Sequence, residues 1–169
     1  MTVIETERLA LRRLTAADAP FILELLNDPG WLRFIGDRGV RTLEDAARYI
    51  QDGPMRMVER LGFGLDLVTL KGDGTPIGLC GLIKRDGLDD VDIGFAFLPG
   101  FRGAGYAREA AAAAMAHGRA AHGIGRIVAI VDPENERSVR LLEALGLRRE
   151  RTIRLPGGDK DLLLLASDA

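Results

Sequence analysis

The chain has 169 residues and a mass of 18.3 kDa, with 47% hydrophobic residues, which suits one domain (1–169) with a substantial core and leaves little room for a second. Its 23 Lys and Arg side chains against 25 Asp and Glu give a net charge of −2, excluding the concentrated positive field that a nucleic-acid backbone binder needs. A single cysteine, Cys80, excludes an intrachain disulfide and a Cys-based zinc site, and two isolated histidines, His117 and His122, argue against any metal centre.

Leu9-Ala10-Leu11-Arg12-Arg13-Leu14 predicts a short strand. Thr15, with Asp18 three residues on, predicts a helix start, and Phe21, Ile22, Leu25 and Leu26 then recur at helical spacing until Asn27-Asp28-Pro29-Gly30 stops them. Thr42, followed by Glu44 and Asp45, predicts a second helix to about Asp52, ahead of Gly53-Pro54. Strands at 64–70 and 77–84 flank the hairpin signal Lys71-Gly72-Asp73-Gly74, and a third follows at 91–98 after a polar turn. A long Ala-rich helix covers 106–121, a β-branched strand 126–131, and a helix 136–145 closed by Gly146. Strands at 148–155 and 160–166 end the chain. Hairpins mixed with βαβ crossovers imply an α/β chain with a mixed sheet flanked by helices. No run of residues is long and apolar enough to span a bilayer, and Glu5 and Glu7 stand where a signal peptide would be apolar, so a cytoplasmic location is expected.

The most informative stretch runs from Val91 through Pro99-Gly100-Phe101-Arg102-Gly103-Ala104-Gly105-Tyr106-Ala107-Arg108: a strand, a glycine-rich loop, and a helix that opens at once. The first N–H groups of a helix have no intrahelical acceptor, and its dipole favours negative charge there. Glycines allow close approach of phosphate oxygens, and Arg102 and Arg108 add charge that a diphosphate would attract. A tight turn without ligand has the same local pattern. A dinucleotide fold also begins with Gly103-x-Gly105, but its third glycine position is Arg108 here.

Arg102-x-x-Gly105-x-Ala107 resembles the pyrophosphate loop of the GNAT superfamily of N-acetyltransferases. Two further stretches resemble the branch that includes ribosomal-protein N-terminal alanine acetyltransferases: Glu5-Thr6-Glu7-Arg8-Leu9-Ala10-Leu11-Arg12, and Asn135-Glu136-Arg137-Ser138 continuing to Glu143-Ala144-Leu145-Gly146. The resemblance extends from Thr6 to Leu165. It implies a GNAT-like, mostly antiparallel mixed sheet of about seven strands with a splayed pair and about four helices. It also implies acetyl-CoA as cofactor and direct acetyl transfer to a primary amine, on a protein N-terminus or a small molecule, by a monomer or homodimer.

By the same resemblance, the backbone of Phe95 and Phe97 bonds the pantetheine arm in the gap beside strand 126–131. The N–H groups of Arg102, Gly103, Ala104, Gly105, Tyr106 and Ala107 hold the pyrophosphate, and an N–H near Phe95 or Ala96 polarises the thioester carbonyl. Asn135 binds a pantetheine amide, although Asn is also an ordinary N-cap. Ser138 is the candidate acid for the leaving thiolate, with a water serving equally well, because many relatives carry a Tyr where Leu142 stands. Asp92 is the candidate base, directly or through a water, or else a solvated turn carboxylate. Trp31, Phe34 and Ile35 lie where relatives shape the acceptor pocket, and equally suit plain core. The missing phenol and uncertain base also fit a non-catalytic acyl-CoA-binding or sensor protein, while a nucleotide oxidoreductase would bind NAD instead.

Overall fold

Strand alternation and helical recurrence in this sequence build one sheet with helices on both faces. The computed structural model describes residues 1–168. The strands are β1 (Thr2–Glu5), β2 (Leu9–Arg12), β3 (Leu65–Leu70), β4 (Pro76–Ile83), β5 (Val91–Phe97), β6 (Ile127–Val131), β7 (Arg148–Ile153) and β8 (Leu162–Ala166). They form a sheet of 8 in the order β1-β2-β3-β4-β5-β6-β8-β7. All neighbours are antiparallel except β5 and β6, which run parallel. The helices are α1 (Ala19–Leu26), α2 (Pro29–Phe34), α3 (Leu43–Ile50), α4 (Arg56–Leu61), α5 (Tyr106–His122) and α6 (Glu136–Ala144).

The pleat sorts the core into two layers. On one face Val68, Cys80, Leu82, Ile93 and Phe97 pack beneath Ala110, Ala111, Ala114 and Met115 of α5 and Val139 and Leu142 of α6. The small side chains of α5 let it lie close, and Gly118 stands directly against Leu82. On the other face Leu67 and Leu79 meet Ile22, Leu25 and Leu26 of α1, Trp31 of α2, and Ala46 and Ile50 of α3. Cys80 is fully buried within the first layer, and burial pushes its thiol well above the ordinary range, so it is packing material rather than a nucleophile. No helix among the described residues is long and apolar enough to cross a membrane.

Three features differ from the sequence reading. The sheet has 8 strands rather than about seven, because Thr2–Glu5 adds an edge strand against β2. Asn27-Asp28-Pro29-Gly30 stops α1 but also starts α2: the Asp28 carboxylate accepts from Gly30 N–H at 3.0 Å and Trp31 N–H at 3.4 Å, with Pro29 at the first helical position. Gly53-Pro54 does not end its helix. The backbone widens into a π turn over Gln51–Met55, which accommodates the proline, and continues as α4 to Gly62 at φ +86.

Candidate active site

The parallel pair β5–β6 is joined only at Val91↔Ile127 and Asp92↔Val128. Beyond that point the strands part, although β5 runs on to Phe97 and β6 to Val131. The direction of the freed backbone groups follows from the ladder on the other side. Leu98 N–H donates to Ile77 O at 3.0 Å, and Ala96 and Gly94 lie in the same register against Leu79 and Gly81. Even-numbered residues of β5 therefore bond β4, and Phe95 and Phe97 turn their N–H and C=O groups into the gap. Arg102 Nε, which donates to Phe97 O at 3.1 Å, marks the same open edge. Ala96 is thereby removed as a source of carbonyl polarisation, because its N–H belongs to the β4 ladder.

The loop after β5 delivers the anion cradle. Gly103 (φ +80) and Gly105 (φ +83) are left-handed, and Gly105 caps α5. The N–H groups of residues 103–108 meet no acceptor among the described residues, the first ladder bond of α5 being Glu109 N–H to Gly105 O at 3.0 Å. A Cβ on Gly103 would meet nothing within 4 Å, and one on Gly105 only Arg8 Nη2 at 3.4 Å. This run of open donors at the start of a long helix fits a diphosphate. Arg102 N–H does not belong to it, contrary to the sequence reading, since the short turn Pro99–Phe101 leaves it donating to Pro99 O at 3.3 Å.

The cradle is braced from the N-terminal segment. Glu109 accepts from Thr6 Oγ1 at 2.5 Å, Arg8 N–H at 3.0 Å and Arg8 Nε at 2.8 Å. The Arg8 guanidinium also donates to Ala104 O at 3.0 Å and lies 4.3 Å from the Tyr106 ring centre. Burial works to raise the pKa of Glu109, but the Thr6 hydroxyl and the Arg8 groups outweigh it and hold the carboxyl below its usual value. In the sequence Arg8 stands within the N-terminal stretch that carries the resemblance, and Glu109 reads as an ordinary surface charge.

Gap and cradle open into one cavity of about 740 Å³. Its lining includes Phe95, Ala96, Phe97, Arg102, Gly103, Gly105, Tyr106, Ala107, Asn135 and Ser138, so the structure brings nearly all the sequence-predicted positions together. Trp31, Phe34, Ile35 and Leu25 form an apolar wall from the α1–α2 side, and Trp31 serves the core as well. Asn135 caps α6, its Oδ1 accepting from Ser138 N–H at 3.3 Å, so capping and cavity lining coincide. The Ser138 hydroxyl has no hydrogen-bond partner among the described residues. Arg108, Arg137 and Arg140 line the cavity with no ion-pair partner among the described residues. Leu142 faces the core, and its neighbour Leu141 lines the cavity.

Asp92 is not brought to this cavity. It is 1% exposed, Oδ2 lies 3.0 Å from Arg85 Nε, and Oδ1 has no partner. Burial raises its pKa, and Arg85 opposes that only in part. As an even-numbered β5 residue at the last rung shared with β6, it sits where the strands are still closed. Its place is that of an anchor at the point of divergence: it lines no part of the cavity where an amine would touch it directly, and it is not the solvated turn carboxylate that the sequence also allowed.

Residues 8–148 match the family described as an acetyltransferase (GNAT) domain. The chain is 31% identical over 147 residues to an uncharacterized N-acetyltransferase, YnaD, of Bacillus subtilis, covering 87% of this chain and 83% of that protein. A GNAT-family acetyltransferase from Bacillus anthracis superposes with a TM-score of 0.80 at 28% identity, covering 99% of this chain and 98% of the other. RimL, a ribosomal L7/L12 α-N-protein acetyltransferase solved in complex with coenzyme A, shares the fold with a TM-score of 0.84 at 18% identity, covering 99% of this chain and 98% of its own. With the parted strands and the open amide cradle, these matches show that the chain belongs to the GNAT family of acetyl-CoA-dependent N-acetyltransferases.

Proposed function

We propose that this enzyme transfers an acetyl group directly to a primary α-amine, with donor and acceptor held together in the one cavity. The observation that carries this reading is the continuity of the open amides at residues 103–108, the freed backbone of Phe95 and Phe97, and the unpartnered Ser138 hydroxyl along a single wall. Bound acetyl-CoA supplies the acetyl group as a thioester.

In this reading the amides of residues 103–108 bind the diphosphate, with Arg108, Arg137 and Arg140 adding attraction. Phe95 and Phe97 fix the pantetheine arm as an added strand would be fixed, and the Phe95 N–H stabilises charge developing on the carbonyl oxygen. The departing sulfur takes up the proton that the attacking amine gives up, and the Ser138 hydroxyl hydrogen-bonds that sulfur and relays the proton to it. A thiolate with a pKa of about 8.5 needs little such help, which suits a site where Leu142 stands in place of a phenol and the lining tyrosine, Tyr106, belongs to the anion cradle. The amine approaches along the wall of Trp31, Phe34 and Ile35. An α-amino group with a pKa of about 7.7–8.0 is roughly one-tenth unprotonated at neutral pH, whereas a Lys side chain near 10.4 is almost wholly charged. A site whose lining carboxylates are Asp28, Glu134 and Glu136, none of them a strong base, therefore suits α-amines, and positioning supplies most of the rate. The single unpaired cysteine, with no structural disulfide, supports a cytoplasmic setting.

Release of free coenzyme A thiol, measured across peptides with free N-termini and small amines, tests this reading. Turnover on α-amines, and far less on lysine side chains, is expected. Coenzyme A binding without release against any amine would instead favour a sensor protein.

A further inference from the structure

Asp28 and Arg102 stand 74 residues apart in the chain and meet at 2.8 Å, Oδ2 to Nη2. That oxygen gathers three donors, because it also caps α2 through Gly30 N–H (3.0 Å) and Trp31 N–H (3.4 Å). Arg102 has a second engagement, its Nε donating to Phe97 O at 3.1 Å. Asp28 is 7% exposed, so its charge is answered almost entirely by these groups. The fit is close: a Cβ on Gly30 would stand 2.9 Å from Arg102 Nη2 and 3.2 Å from Nη1. One guanidinium thus ties together the open edge of β5, the residue just before the anion cradle, and the helix that carries Trp31 into the cavity. Its Nε and Nη2 are engaged by β5 and α2, and among the described residues Nη1 is its one nitrogen without a partner.

We infer that the Arg102–Asp28 clasp couples the cofactor loop to the acceptor wall, so that filling the loop repositions α2 and gives the acceptor pocket its working shape. The inference rests on the acetyl-transfer reading above. Its physical basis is adjacency and geometry. The backbone of residues 103–105, where a diphosphate would seat, continues directly into Arg102, whose guanidinium holds Phe97 O and Asp28 Oδ2 at once. Arg102 is then a positioning residue, and by reciprocity an acceptor seated against α2 tightens the hold on the cofactor.

Trp31, the single tryptophan of the chain, reports on the wall itself. The probe is the adenosine diphosphate half of coenzyme A, which lacks the pantetheine arm that could quench Trp31 by contact. Calorimetry reads its affinity and Trp31 emission reads the response of α2. Asp28→Asn keeps an equally good helix cap and removes only the charge. Arg102→Gln, which caps nothing, carries the test by itself if the first variant folds poorly. Both variants are expected to bind the probe within about threefold of the unmodified enzyme, while most of the Trp31 response is lost. A full Trp31 response in either variant overturns the inference, as does a Trp31 signal that stays silent when the unmodified enzyme binds the probe. A loss above roughly tenfold in affinity for Arg102→Gln alone, without loss in Asp28→Asn, overturns it too, since Arg102 would then touch the phosphates. Failure of the unmodified enzyme to bind whole coenzyme A at all would instead refute the acetyl-transfer reading on which the inference stands.

Discussion

Replacing Gly105 by alanine separates two consequences of the cradle, backbone strain and lost anion contact. Gly105 is left-handed at φ +83, and the nearest obstacle to a Cβ is the movable end of Arg8 at 3.4 Å, so the steric cost is small. The strain of an L residue there is about 1–2 kcal/mol, which for a domain of this size lowers Tm by roughly 2–8 °C. Gly123, at the far end of α5, provides a matched control: it is also left-handed (φ +64) and has nothing within 4 Å. Gly105→Ala and Gly123→Ala should therefore lose similar stability. Only the former places a methyl among the open amides. Displacing one charge-assisted hydrogen bond costs about 1.5–3 kcal/mol, or roughly ten- to a hundredfold in coenzyme A affinity. Calorimetric titration of both variants, after melting curves have confirmed equal destabilisation, decides the matter. Equal affinities would refute the assignment of these amides to the diphosphate.

Ser138→Ala should lower kcat by about tenfold with little change in KM for acetyl-CoA, less than the roughly 10²–10⁴ of a fully developed general acid; steady-state thiol release reads it. Asp92→Asn should leave kcat within about threefold of the parent, because the carboxylate lies outside the cavity lining, whereas a direct base would lose at least roughly 10². Glu109→Gln should show a pH-dependent stability deficit. The folded pKa of Glu109 is depressed, so its contribution is complete above the unfolded carboxylate value of about 4.3 and is lost as pH falls through its lower folded pKa. Denaturant melts of the two proteins should differ at neutral pH and converge in acid below about pH 4.

The parts of this site that the sequence discloses are those made by local backbone. Glycines at 103 and 105 ahead of an Ala-rich helix announce free amides, and the alternation of β5 already separates Phe95 and Phe97 from Ala96 once one ladder bond is known. Asn135 and Ser138 are likewise legible as cap and first turn of α6. What the sequence does not disclose is pairing at long range. The meeting of Asp28 with Arg102, of Glu109 with Thr6 and Arg8, and of Asp92 with Arg85 depends on how layers pack, and each residue alone resembles any surface charge. Local signals also carried two meanings. Asp28-Pro29 both ends one helix and caps the next, and Pro54 is absorbed by a π turn instead of breaking its helix.

Amide NMR of isotope-labelled enzyme titrated with coenzyme A tests the site most directly, because it reads each N–H separately. The expected pattern is large shifts for residues 103–108 and for Phe95 and Phe97, with Gly94 and Ala96, held in the β4 ladder, nearly still. Shifts concentrated elsewhere, or an unresponsive stretch from 103 to 108 under saturating coenzyme A, would contradict the account.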